Sequence, residues 1–191
     1  MDLMLSLALK EWAVAVEALE AGETILLLRK GGIREGKGGF KVEQNRVLLY
    51  PTFEHQKPDL LKSEYCKKVV SVESGWHPET VRIGSFAEIT DAFLVAHEPA
   101  IKALLPYHIW NEQFITERLK WKPSEPVSVL LLRVYKLAET RIIPYRQEYG
   151  GCKSWMDIKE LVSLENSVAI LSDGEYNKQA NAIRQTIANP V

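Results

Sequence analysis

Apolar residues along this chain come in short, dense runs between charged or turn-forming stretches, and few of the runs keep a clean period. The first carries good helix formers and predicts a short helix over Leu3–Glu11. Trp12–Leu19 and Thr24–Lys30 are β-rich and joined by Glu20-Ala21-Gly22-Glu23, which predicts an antiparallel hairpin. Phe40–Val42 and Arg46–Tyr50 predict strand, the second ended by Pro51. Pro58–Lys68 predicts helix, Val69–Glu73 a strand and Gly75-Trp76-His77-Pro78 a loop, before the β-rich Thr80–Ala96 with Val81, Ile83, Ile89, Phe93 and Val95. Glu98–Leu105 and His108–Trp121 predict helices punctuated by Pro106 and stopped by Pro123. Ser128–Leu137 is the clearest buried strand, with Arg141–Tyr145 as its candidate partner. Val168–Leu171 predicts a last short strand and Glu175–Ile187 a closing amphipathic helix.

Strands grouped locally, without regular βαβ alternation, predict an α+β fold with a largely antiparallel or mixed sheet flanked by helices. A length of 191 residues fits one domain, with residues 162–191 as a candidate C-terminal appendage. At 46% apolar and 26% charged residues the chain can build a core, and its net charge of −1 excludes a general polycation. Any nucleic-acid contact therefore needs a local basic patch. Cys66 and Cys152 give neither a disulfide framework nor a metal-ligand spacing, which fits a reducing cytoplasm. The apolar N-terminus is short, carries Asp2 where a signal peptide needs basic residues, and shows no cleavage pattern. No run approaches the ~20 apolar residues of a membrane span, so a cytoplasmic protein with no membrane partner is expected.

Cations gather at Arg29–Phe40, where five of the eleven glycines, Gly31 to Gly39, stand among Arg29, Lys30, Arg34 and Lys37. Glycine lets a ligand approach bare backbone N–H groups, and neighbouring cations suit a phosphate. Gly31-Gly32-Ile33-Arg34-Glu35-Gly36-Lys37 matches the spacing of a nucleotide-binding P-loop. It departs at Gly38, where that motif needs Ser or Thr, and at Gly39–Val42, which read as strand instead of helix. A hairpin tip with turn glycines and solvated cations is the competing reading.

Three further constellations carry chemistry. Glu54 and His55, in Tyr50-Pro51-Thr52-Phe53-Glu54-His55-Gln56, make an acid–base pair only if the chain bends out of strand there. The alternative is a helix start with His55 on the surface. His108 and Glu112 fall one turn apart on the predicted helix, without the second His that would complete a metal set. On the same helix, Arg118, Lys120 and Lys122 interleave with Trp121, which suits phosphate contact and base stacking, or an ordinary solvated basic face. Cys152, after Gly150-Gly151, is a candidate nucleophile or a small turn residue.

Ala8-Leu9-Lys10-Glu11-Trp12-Ala13, Arg29-Lys30-Gly31-Gly32-Ile33, Tyr50–Gln56, His108-Ile109-Trp110-Asn111, Arg118-Leu119-Lys120-Trp121 and Tyr149-Gly150-Gly151-Cys152-Lys153-Ser154-Trp155 together resemble an uncharacterised bacterial family common in cyanobacteria, domain of unknown function 1802. The resemblance runs from about Ala8 to Trp155 and implies a bacterial cytosolic protein, with no activity or catalytic residues to transfer.

Residues 29–41 hold five cations against one acid, and residues 117–148 seven cations against four acids. If these segments converge they form a groove for a nucleotide or nucleic acid, with Arg29, Lys30, Arg34, Lys37, Arg118, Lys120, Trp121 and Lys122 as the ligand-binding candidates. The alternative is a phosphoester hydrolase or nuclease using Glu54, His55, His108 and Glu112 in one site. A homo-oligomeric or partner-docking domain is the third class, given five tryptophans. The sequence names no cofactor.

Overall fold

A computed structural model describes residues 3–30, 45–151 and 153–189. Its frame is one mixed sheet built from strands β1 (Met4–Trp12), β2 (Leu26–Arg29), β3 (Arg46–Thr52), β4 (Thr80–Val95), β5 (Val127–Pro144), β6 (Trp155–Ser163) and β7 (Val168–Ala169). The order is β2-β5-β4-β3-β1-β6, with β7 also on β5. β1 and β3 run parallel, Ala8 opposite Leu48 and Trp12 opposite Thr52, and the remaining pairings are antiparallel. The α+β reading therefore holds.

Both faces of the central strands are buried. Leu9, Val47 and Leu49 point into one core, while their neighbours Ala8, Leu48 and Tyr50 point into the other. A strand covered on both sides loses its polar–apolar alternation, so β1 reads in sequence like a run of helix formers. That is why the helix predicted over Leu3–Glu11 is a strand. Conversely, the strand predicted over Trp12–Leu19 is helix α1 (Ala13–Glu20), whose Val14, Ala15, Val16, Ala18 and Leu19 are buried. Gly22, at φ 71°, ends it: Glu23 N–H donates to Ala18 and Gly22 N–H to Leu19, a helix stop in place of the predicted hairpin turn.

Thr24–Lys30 does reach the sheet, as β2 against the first half of β5. Ser128–Leu137 and Arg141–Tyr145 are stretches of one long chain segment, almost all of it β5, so they do not pair with each other. Val69–Glu73 forms no strand, and Pro58–Lys68 shortens to a 3-10 turn and α2 (Ser63–Cys66). Phe40–Val42 lies outside the described residues.

Helices α3 (Glu98–Ala103), α4 (Glu112–Lys120) and α5 (Asp173–Ala188) join α1 on the first core. Asn111 starts α4: its Oδ1 accepts from Phe114 N–H, and its Nδ2 donates to the carbonyls of Asp59 and Leu61. His108 thus precedes the helix in extended backbone, and the predicted one-turn spacing to Glu112 is not formed. In the stretch 162–191, Tyr176, Ala180 and Ile183 of α5 enter the first core, and Val162 and Leu164 the second. A capping box of Ser172 and Glu175 opens α5. Among the described residues, no helix is long and apolar enough to cross a membrane.

Candidate functional site

The C-terminal ends of the parallel pair β1 and β3 open onto a cavity of about 590 Å³. β1 contributes Lys10, Glu11 and Trp12, and β3 contributes Thr52 and, just beyond it, Glu54, His55 and Lys57. The end of β2 adds Arg29 and Lys30, α4 adds Phe114, Glu117 and Arg118, and Trp121 follows. Gly151, Lys153 and Ser154 close the wall ahead of β6. Six cations face three acids around this space, so a chain that is nearly neutral overall presents a positive cavity.

The floor is a bonded network. Arg29 donates through Nη1 to the Glu11 carboxylate at 2.5 Å and to the Lys10 carbonyl at 3.1 Å, and through Nη2 to Ser154 Oγ at 2.6 Å. The other Glu11 oxygen accepts from Trp12 N–H at 2.8 Å. Lys10 donates its ammonium to the carbonyls of Tyr149 and Gly151, at 2.7 and 3.0 Å. Gly151, at φ 77°, takes the left-handed turn that directs this loop. With three of its hydrogen bonds made to Glu11, Lys10 and Ser154, Arg29 ties the floor together and has few donors left over.

Arg118 differs. Its guanidinium lies over the Phe114 ring, 4.8 Å from the centroid, and no acceptor among the described residues bonds to it. Burial holds it below its ordinary pKa; Glu11 opposes that shift and Arg29 adds to it. An arginine stays charged even so, which leaves a half-buried cation with open N–H groups on the cavity wall. Lys30 donates to the Leu119 carbonyl at 3.2 Å, and its pKa is also lowered, first by burial and then by Arg118, against Glu125.

The rim at His55 is a turn. Glu54 accepts from Gly75 N–H at 2.6 Å, and His55 takes φ 62°, a region a non-glycine residue enters only when its surroundings hold it there. Gln56, buried beside it, accepts from Val14 N–H at 3.0 Å and satisfies a donor in the first turn of α1.

Of the residues singled out in the sequence, Arg29, Lys30, Glu54, His55, Arg118 and Trp121 line this one cavity. His108 and Glu112 do not. His108 is 3% exposed, tilted against Trp110, and pushed down to about 3 by burial and then by the charge of Lys62. Glu112 is an exposed first-turn residue of α4. Lys120 is exposed at the end of that helix, and Lys122 places its ammonium 5.1 Å from the Trp121 ring centre while pairing with Glu125. Arg34, Lys37, Cys152 and the glycine-rich segment lie outside the described residues. Among the described residues, no three His, Cys, Asp or Glu side chains form a metal set.

Sequence reasoning missed Lys10, Glu11, Trp12 and Ser154. The available signal was a Lys-Glu pair closing an otherwise apolar run, which a strand end at a cavity accounts for and a short helix hides. Five of the six segments that carry the family resemblance supply cavity-lining residues; His108–Asn111 is the exception.

Three solved structures of the ASCH protein from Zymomonas mobilis are similar to this chain at low identity. The S128A mutant matches at 13% identity, covering 92% of this chain and 94% of that one, with a TM-score of 0.43. The unmutated protein matches at 12% identity, covering 92% and 93%, with a TM-score of 0.42. No curated protein matches the chain. A family model matches residues 8–182, and the chain belongs to that family, described as Domain of unknown function (DUF1802).

Proposed function

We propose that this DUF1802 member uses the cavity at the ends of β1 and β3 to bind a phosphate-bearing ligand, a nucleotide or nucleic acid, in the cytoplasm. The observation that carries the reading is Arg118: a charged guanidinium on the wall of a net-positive cavity with no acceptor among the described residues. An anion with several oxygens supplies the acceptors it lacks, and a phosphate does so bidentately. Lys57 adds charge to the lining, and Lys120 and Lys122, exposed at the end of α4 and just after it, belong to the same proposal. Arg34 and Lys37 follow Lys30 within seven positions and belong to the same proposal. Arg29 holds the site together more than it contacts the ligand.

The test is a titration of wild type and an Arg118→Ala, Lys57→Ala variant with a mononucleotide, an oligonucleotide and inorganic polyphosphate at two salt concentrations. Wild-type affinity should fall steeply with salt, and the variant should bind more weakly with a shallower slope, by about one per lost phosphate contact. Equal affinity in both proteins, or no wild-type binding, overturns the reading.

The second reading is a phosphoester hydrolase, favoured by His55 being held at φ 62° on the rim beside Glu54. An imidazole beside a carboxylate on a cavity rim suits a proton-transfer role. It requires turnover of a phosphodiester that His55→Ala abolishes while binding persists.

A further inference from the structure

On the α4 side of the cavity flat groups follow at four-residue spacing, the first of them, Trp110, buried behind the lining. Trp110 stacks on Phe114 with centroids 4.8 Å apart and planes at 16°, and Arg118 lays its guanidinium over the same Phe114 ring. A guanidinium resting on a ring keeps a second flat face and an edge of in-plane N–H donors. One turn on, Trp121 is 46% exposed and lines the same wall, although a tryptophan gains most by burial. A flat surface ending in a charged plane, with an exposed indole lining the same cavity, complements a flat, polarisable ring attached to an anion.

We propose that this wall is a platform for a single unpaired nucleobase, with the base on the Arg118 plane against Trp121 and its phosphate on the Arg118 N–H edge. The proposal rests on the phosphate-binding reading and goes beyond it by naming the ligand as a nucleotide whose base faces are free. Within a duplex both faces of an internal base are covered by its neighbours, so only the end pairs of a duplex can reach the platform. The cavity, at about 590 Å³, falls in the ~300–1,000 Å³ range of small-ligand sites. The ligand is a free nucleotide or one nucleotide of a single strand, which share this chemistry.

The test measures affinities of wild type, Arg118→Lys and Trp121→Leu for five probes: a mononucleotide, a single-stranded oligonucleotide, the same strand with abasic sites, its duplex, and inorganic polyphosphate. Wild type should prefer the base-bearing strand over the abasic one by roughly ten-fold, the worth of one stacked base. The duplex should compete no better than the abasic strand. Arg118→Lys keeps the charge and loses both the plane and the bidentate edge, so it should weaken binding of both strands and also erase the preference between them. Trp121→Leu, at an exposed position, should reduce the preference without touching the fold. A mononucleotide that matches the strand identifies the free nucleotide as ligand; a tighter strand identifies the single-stranded polymer. Salt-sensitive binding of abasic strand and polyphosphate with no gain from the base overturns the platform and leaves the phosphate reading standing. No binding of any phosphate-bearing probe overturns both.

Discussion

The cavity floor and the pocket around His108 both take titratable groups out of water, and they resolve the cost in opposite ways. At the floor, Glu11 and Arg29 pair with each other and each meets a second hydrogen-bonding partner, with side-chain exposures of 8% and 14%. At His108 neither ring nitrogen has a hydrogen-bond partner of good geometry among the described residues, nor does Trp110 Nε1 beside it, so the imidazole stays neutral. Burial alone thus decides little; what matters is whether the surroundings supply a counter-charge or withhold one. Two histidines chosen in the sequence for the same chemistry illustrate this. His55 sits on an open rim, and His108 is core.

The comparison breaks most readily at Glu11. Glu11→Ala strands the Arg29 charge and the Trp12 N–H, and should cost roughly 3–5 kcal/mol in denaturant unfolding. Glu11→Leu combined with Arg29→Met should recover most of that loss. A single-variant cost under about 1 kcal/mol would mean the pair does not hold the floor.

The next effect is a pH dependence. His108 titrates at about 3 in the folded chain against 6.5 unfolded, so its contribution is fully present above pH 6.5 and is lost as pH falls toward 3. Between pH 6.5 and 4.5 that amounts to about 2 to 3 kcal/mol at 1.36 kcal/mol per unit. His108→Phe should flatten this part of the stability curve relative to wild type. Parallel curves for the two proteins would show that His108 is hydrated.

The smallest effect sharpens the rim. His55→Gly removes the left-handed penalty and should leave stability unchanged or raise it by up to about 1 kcal/mol, read by thermal unfolding. A loss of more than ~1 kcal/mol would show that the imidazole packs against the fold instead of facing the cavity.

The long antiparallel strands were legible because Thr80–Ala96 and Ser128–Leu137 are dense in β-branched and aliphatic residues. The β1–α1 unit was not, and the two halves exchanged identities. β1 is buried on both faces and lacks a period, while α1 packs through a run of alanines and valines whose alternation mimics a strand. Only Gly22, as a helix stop, spoke against the hairpin. In the site, the pairing of Arg29–Lys30 with Arg118–Trp121 was legible from charge and aromatic spacing. The grouping of His108 with them was not testable from sequence, because it assumed a helix that begins only after Asn111. Lys10 and Ser154 needed the β1–β6 pairing to become neighbours at all.

That pairing sets the order in which the molecule can assemble. Lys10 meets Tyr149 across 139 positions and Arg29 meets Ser154 across 125, so the floor joins the ends of β1 and β2 to the segment that leads into β6. Contacts of such separation close late and slowly. The antiparallel pair of β4 and β5 can form without these contacts, but the cavity exists only once β1, β2 and the segment before β6 have met. A ligand held there therefore has nothing to grip in a half-folded chain. It should slow unfolding in proportion to its occupancy and leave the refolding rate unchanged.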